Sequence, residues 1–178
     1  MEKFVYDFSE GTKDMKELLG GKGSNLACMK NLGLPVPDGF IVTTEACNKY
    51  YEENEVISAS IEEEINNHLA SLEQKTGKIL GDVNNPLLVS VRSGARSSMP
   101  GMMDTILNLG LNDEVAASFA KITNNERFVY DSYRRLIMMF ADVVMGKDKS
   151  IFEEYLTNYK KEHGYQNDTD LTGTDWHN

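Results

Sequence analysis

The sequence predicts an α/β protein that carries a helical subdomain. Two observations lead to this. Up to about Leu111, short apolar or alternating runs of strand length are interleaved with stretches of helical periodicity. From Asn112 onward the apolar residues recur only at helical spacing. The expected organisation is therefore an α/β lobe over 1–111, a helical subdomain over 112–164 and a loose tail over 165–178.

The elements follow in order. "KFVYDF" alternates and predicts a short strand. "GGKGSNLACMKNLGLPVP" predicts a glycine-rich turn and then a helix with Leu26, Met29 and Leu32 on its apolar face. Gly33 supplies the stop and Pro35 prevents continuation. "GFIVTT" predicts a strand and "TEACNKYYEEN" a helix. Ile57, Ile61, Ile65, Leu69 and Leu72 mark an amphipathic helix, with Ser60 and Glu63 at capping-box spacing and Gly77 closing it. "PLLVSVRS" has the pattern of a buried strand. "DTILNLGL" alternates with Thr105, Leu107 and Leu109 on one face. In the helical part, Val115, Phe119 and Ile122 share one face. Val129, Tyr133, Leu136, Phe140 and Val143 form the stripe of a long helix, and "SIFEEYLTNYKKEHG" is a third. The closing "YQNDTDLTGTDWHN" is polar and aperiodic, hence the expectation of a tail.

Composition narrows the function. Hydrophobic residues make up 40% of the 178, enough for a core. With 28 acidic against 18 basic residues the net charge is −10, which argues against general nucleic-acid binding. One anionic ligand held by local cations is compatible with that charge. Cys28 and Cys47 have neither metal-ligand nor redox spacing and are expected to be buried small hydrophobes. No apolar run approaches membrane-spanning length and the N-terminus has no signal-peptide pattern, so a cytoplasmic protein with no membrane partner is expected.

Two glycine-rich stretches can hold phosphate. In "LGGKGSN" a lysine flanked by glycines opens a helix, where unpaired first-turn amides and the helix dipole favour an anion. The spacing is not that of a Walker A loop, and alone the commoner reading is a flexible turn with a surface lysine. In "SVRSGARSSMPGMMDT", Arg92 leaves a strand end and enters a loop of small residues, where a guanidinium can fork onto phosphate oxygens. Its bland alternative is a hairpin loop whose arginines pair with carboxylates. Together the two loops point to a polyphosphate ligand.

Beyond this, "LLGGKGSNLACMKNLGLPVPDGFIVTTEAC", "PLLVSVRSGARSSMPGMMDTILNLGLND" and "FVYDSYRRLIMMFADVVMG" resemble the N-terminal region of the pyruvate, phosphate dikinase family, over residues 1 to roughly 172. The sister families, phosphoenolpyruvate synthase and the rifampicin phosphotransferases, share the GGKG-type start and usually differ after the VRS triplet. The resemblance implies the N-terminal part of an ATP-grasp domain that binds ATP. In the family a phosphoryl group passes from ATP through a histidine on a swivelling domain to pyruvate. ATP, phosphate and pyruvate become AMP, diphosphate and phosphoenolpyruvate. Carried over, Lys22 and Arg92 are expected at the nucleotide phosphates, with Gly101, Met103, Asp104 and Thr105 in the loop above them.

The resemblance also implies Mg²⁺, with its ligands, the phosphohistidine and the pyruvate site all beyond residue 178, and a homo-oligomeric family. None of His68, His163 or His177 lies in a phosphohistidine-like motif. The chain alone is thus expected to bind ATP and to be inactive, pyruvate and phosphate reaching it only through other domains. Two alternatives stand beside this: a stand-alone nucleotide-binding or regulatory module, and a phosphoenolpyruvate synthase-like kinase.

Overall fold

The structure, a computed structural model, describes residues 3–94 and 105–177. The chain forms two compact units, each assembled from separated stretches. The first takes the described residues of Met1–Gly77 and Ser93–Met103; the second takes those of Lys78–Arg92 and Asp104–Asn178.

In the first unit, β1 (Val5–Asp7) pairs antiparallel with β2 (Phe40–Val42), with Val5 opposite Val42 and Asp7 opposite Phe40. Between them runs α1 (Lys16–Asn31), and Gly33 closes it with its amide on the Lys30 carbonyl. The expected face of α1 is wrong. Met29 and Leu32 are 40% and 73% exposed, whereas Leu19, Gly23, Ser24 and Ala27 are buried. The reason is proximity. A Cβ on Gly11 would come 2.8 Å from the Ala27 Cβ, and one on Gly23 would come 3.1 Å from Ile41. A helix lying this close to its neighbours accepts only small side chains at Gly23 and Ala27, with Leu19 the one large side chain buried on this face.

Next comes α2 (Thr44–Glu52), whose N-cap Thr43 accepts a hydrogen bond from the Ala46 amide at 3.2 Å. The amphipathic helix is α3 (Ala59–Thr76), closed by Gly77 as expected. Its start differs. The Ser58 carbonyl already accepts from the Glu62 amide, so Ser60 lies inside the helix and caps nothing, and Ile57 stays outside, 54% exposed. Phe4, Val5, Ala46 and Ile61 form the core, with Phe40 and Ile65 packed against it.

Polar contacts tie α3 to β1. The Glu64 carboxylate accepts from the Phe4 and Val5 amides, both at 2.8 Å. Asp7 accepts from Lys75 at 2.6 Å and lies 2.6 Å from His68 Nδ1. Burial pushes the Asp7 carboxyl up, but the hydrogen bonds and charges of Lys75 and His68 outweigh it and hold it below its ordinary value.

The second unit begins with β3 (Ile79–Leu80), which pairs parallel with β4 (Pro86–Leu87). β5 (Val89–Arg92) pairs antiparallel with β6 (Thr105–Leu109). Contrary to the buried-strand expectation, Val91 is 45% exposed and burial concentrates at Pro86 and Leu87. Nor does β6 alternate as read. The register steps from Val91–Ile106 to Val89–Leu109, which leaves one extra residue in β6, and Asn108 sits there at φ 60°. This bulge shifts the pleat by one, so Ile106, not Leu107, is buried, and Leu109 packs on the same core.

Three longer helices follow: α4 (Asp113–Thr123), α5 (Glu126–Val143) and α6 (Ser150–His163). Ile106, Leu111, Val115 and Leu136 form one core; Ala116, Val129 and Tyr130 form a second. Of the expected stripe, Val129 and Leu136 are buried and Tyr133 and Val143 pack beside them, while Phe140 is 39% exposed. Ile122 likewise faces outward at 56%. Asp131 pairs with Arg135 at 3.0 Å, as its spacing predicts, and also with Arg134 at 2.7 Å.

Residues 165–178, expected as a loose tail, contain a 3₁₀ turn at Asp168–Asp170 and α7 (Gly173–His177). Leu171 is 1% exposed, and Arg127 donates to the carbonyls of Leu171 and Asp168. Local carboxylates, not periodic apolar residues, order this stretch: Asp170 accepts from the Gln166 and Asn167 amides, and Asp175 from the Thr172 amide and hydroxyl. The cysteines depart from expectation too, Cys28 being half-buried and Cys47 exposed. Among the described residues no helix is long and apolar enough to cross a membrane.

Two outcomes test this architecture. Leu136→Ala removes a side chain that is 6% exposed in the main core of the second unit, and should cost about 2–5 kcal/mol in a denaturant titration. An unchanged midpoint would place Leu136 outside the core. The second concerns pH. A carboxyl with a depressed folded pKa contributes stability above its ordinary value of 3.8 and loses that contribution as the pH falls below it. Asp7→Asn should therefore flatten the fall in stability on acidification below about pH 4. Parallel acid profiles for the parent and the variant would remove Asp7 from the account.

Candidate functional site

The first candidate element is the bend in α1. Gly20 sits inside the helix at φ 72° and ψ 167°, a conformation essentially confined to glycine. The helix breaks there and restarts beyond it. A new first turn therefore begins at Gly21, Lys22 and Gly23, and the leading amides of such a turn lack intrahelical partners. Leu19, Gly20, Gly23 and Ser24 are buried, whereas Gly21 and Lys22 are half-exposed at the turn's open side. Ser24 Oγ donates to the Gly21 carbonyl at 3.3 Å across the same turn.

The glycines thus have separate tasks. Gly20 supplies the backbone angle. Gly23 supplies proximity to β2, since its missing Cβ leaves room for Ile41. The sequence predicts a glycine-rich turn before the helix, whereas the break lies within it. The signal for the break was the Gly-Gly doublet in an otherwise helix-compatible run. The signal for the packing glycine lay in a strand eighteen residues on and could not be read locally.

Lys22 Nζ donates to the Ser93 carbonyl at 3.3 Å within the first unit. Arg92 and Thr105 belong to the second unit, where they face each other as the last cross-strand pair of β5 and β6. Arg92 is exposed and Thr105 half-buried at the base of the hairpin. Thr105 is a strand residue instead of a loop residue. Gly101, Met103 and Asp104 lie outside the described residues. The structure therefore brings Arg92 and Thr105 together, and describes Lys22 in the other unit.

For a divalent metal, one group of described side chains converges: an Asp7, a Glu10 and a His68 atom lie within 4.8 Å of one another. The donor set does not fit Mg²⁺, which takes oxygen ligands and prefers carboxylates free to face it. One donor is an imidazole, Asp7 is already opposed by Lys75, and Glu10 by Lys3. The cluster is a structural lock between β1 and α3.

Residues 16–79 and 55–171 of the chain match the family model described as pyruvate phosphate dikinase, AMP/ATP-binding domain. The chain is 57% identical over 175 residues to the pyruvate, phosphate dikinase of Clostridium symbiosum, covering 98% of this chain and 20% of that protein. It is 56% identical over 178 residues to the chloroplastic pyruvate, phosphate dikinase 1 of Zea mays, covering 98% and 19%. The Rhizobium meliloti enzyme is 48% identical over 180 residues, covering 99% and 20%. The chain thus spans about a fifth of the length of these relatives. A matched model running across both units, and relatives aligned over nearly every residue, establish that the chain belongs to the pyruvate phosphate dikinase AMP/ATP-binding domain family.

Proposed function

We propose that this chain is the ATP-binding N-terminal part of a pyruvate, phosphate dikinase, and that its own contribution is to hold the nucleotide's phosphates without completing a reaction. The observation that carries this reading is the break at Gly20, which opens a helix start beside a half-exposed lysine. Amides, a favourable dipole end and an ammonium are what a phosphate group requires. Arg92, exposed at the end of β5, is the second cation, with Thr105 opposite it; Gly101, Met103 and Asp104 join the proposal on the family resemblance alone. Phosphoryl transfer draws mainly on positioning and charge neutralisation, and both cations supply these. In the whole enzyme the bound ATP would serve conversion of pyruvate and phosphate into phosphoenolpyruvate, AMP and diphosphate. Mg²⁺, pyruvate and the transferring histidine are assigned to regions other than this chain.

Lys22→Ala and Arg92→Ala should each weaken phosphate interaction by about 1.5–3 kcal/mol with little effect on folding, because neither cation is buried. The measurement is ATP-dependent self-phosphorylation of a full-length dikinase that begins with this chain. A parental rate in Arg92→Ala would remove that residue from the site.

The isolated chain should bind Mg·ATP with a dissociation constant no tighter than about the millimolar range, since a chain of net charge −10 opposes a polyphosphate that only local cations attract. Calorimetric titration gives the answer. Micromolar binding would favour a stand-alone nucleotide-binding module over an enzyme fragment.

A further inference from the structure

The second unit contains a cavity of about 400 Å³, none of whose lining residues is a candidate phosphate residue. This is the size of a small-molecule site. Its walls come from α5, α6 and α7, with Asp113 contributed by the start of α4, and the rings the proposal uses are Tyr133, Tyr155, Tyr159 and Trp176. Most are held in place. Tyr133 donates its hydroxyl to Asp113 at 2.7 Å, Tyr159 donates to Asp175 at 2.9 Å, and the Arg134 guanidinium lies 4.5 Å from the centre of the Trp176 ring. Fixed aromatic walls lower the ordering cost of taking up a ligand.

The polar groups define the ligand. Arg134 brings a positive charge, but Asp131 accepts two hydrogen bonds from it, at 2.7 and 3.2 Å. Asp113 and Asp175 add two carboxylates to the lining. Hydrogen bonds from Thr172, then from Tyr159, hold the Asp175 carboxyl down at about 2, while burial and Asp113 push the Tyr133 hydroxyl up to about 12. At neutral pH Asp175 is therefore charged and Tyr133 is not. A tyrosine that gives its proton to a carboxylate can only accept from a ligand. Asp175 is already occupied by Thr172, Tyr159 and Tyr165, whereas Asp113 takes the Tyr133 hydroxyl and has lone pairs left. Aromatic faces, acceptor oxygens and the exposed Asp113 carboxylate favour an organic cation over a polyphosphate.

We propose that this cavity binds a small arylalkylammonium cation, with its ring among Tyr133, Tyr155 and Trp176 and its ammonium directed to Asp113. The site is separate in chemistry from phosphate binding, and its failure would leave the nucleotide reading untouched.

Trp176 is the chain's single tryptophan, so its emission reports the cavity directly. The chain is titrated with phenethylamine, neutral 2-phenylethanol and anionic 3-phenylpropionate, with AMP as a fourth probe. The expected result is a saturable change with phenethylamine at about tenfold lower concentration than with 3-phenylpropionate, the alcohol falling between them. Asp113→Asn should bring the amine and the alcohol to equal affinity. Tyr155→Ala, at a residue 68% exposed and so free of core packing, should weaken both by about threefold or more. No saturable change with the amine, or equal binding of the anion or AMP, would overturn the proposal. A cation preference that survives Asp113→Asn would do the same.

Discussion

The first unit depends on how closely α1 can lie on β2. At Gly23 the gap to Ile41 leaves no comfortable place for even one methyl group, and at Gly11 the Leu19 and Ala27 side chains close the same kind of gap. Small residues bury little apolar area, so this contact gains less from the hydrophobic effect than a leucine face would. Polar tethers supplement it: Asn31 donates to the Gly11 carbonyl, Lys30 to the Val36 carbonyl and Thr44 to the Glu17 carbonyl. The break at Gly20 falls within this close-packed stretch. The direction in which Lys22 leaves the helix is consequently set by packing on its far side.

The composition and periodicity carried much of the element order. Both strands of the first unit and the long helices were legible because each has a local signal: alternation, a cap or a stop. The faces were less legible. On α1 Met29 points outward while Gly23, Ser24 and Ala27 are buried, because Ile41 and Gly11 lie close by, a fact of tertiary structure invisible to spacing. On β6 a single left-handed Asn108 moved the buried side by one residue. The ordered C-terminal stretch escaped notice because carboxylates, not apolar residues, organise it. For the candidate site, Lys22 and Arg92 were legible as cations beside glycine-rich runs. The division of labour among the glycines was not, because it depends on Ile41.

The acidic excess has a structural use. Glu64 binds two strand amides, Asp7 joins β1 to α3, and Asp170 and Asp175 organise the last turn and helix. A carboxylate that accepts backbone amides favours its own ionised form and fixes the chain around it. Part of what looks like surface charge in the composition is therefore local scaffolding. The same carboxylates set the electrostatic background against which any anion must bind.

The chain leaves the first unit after Gly77, returns at Ser93 and is again in the second unit at Thr105. Neither unit is a continuous piece of sequence, so no single cut in the gene yields either one whole. A ribosome releasing this chain must expose Ser93 before the first unit has all its parts, by which time β3, β4 and β5 have already emerged. Maturation of the two units is thus interleaved in time as well as in sequence, and a domain exchange between relatives would have to carry several junctions together.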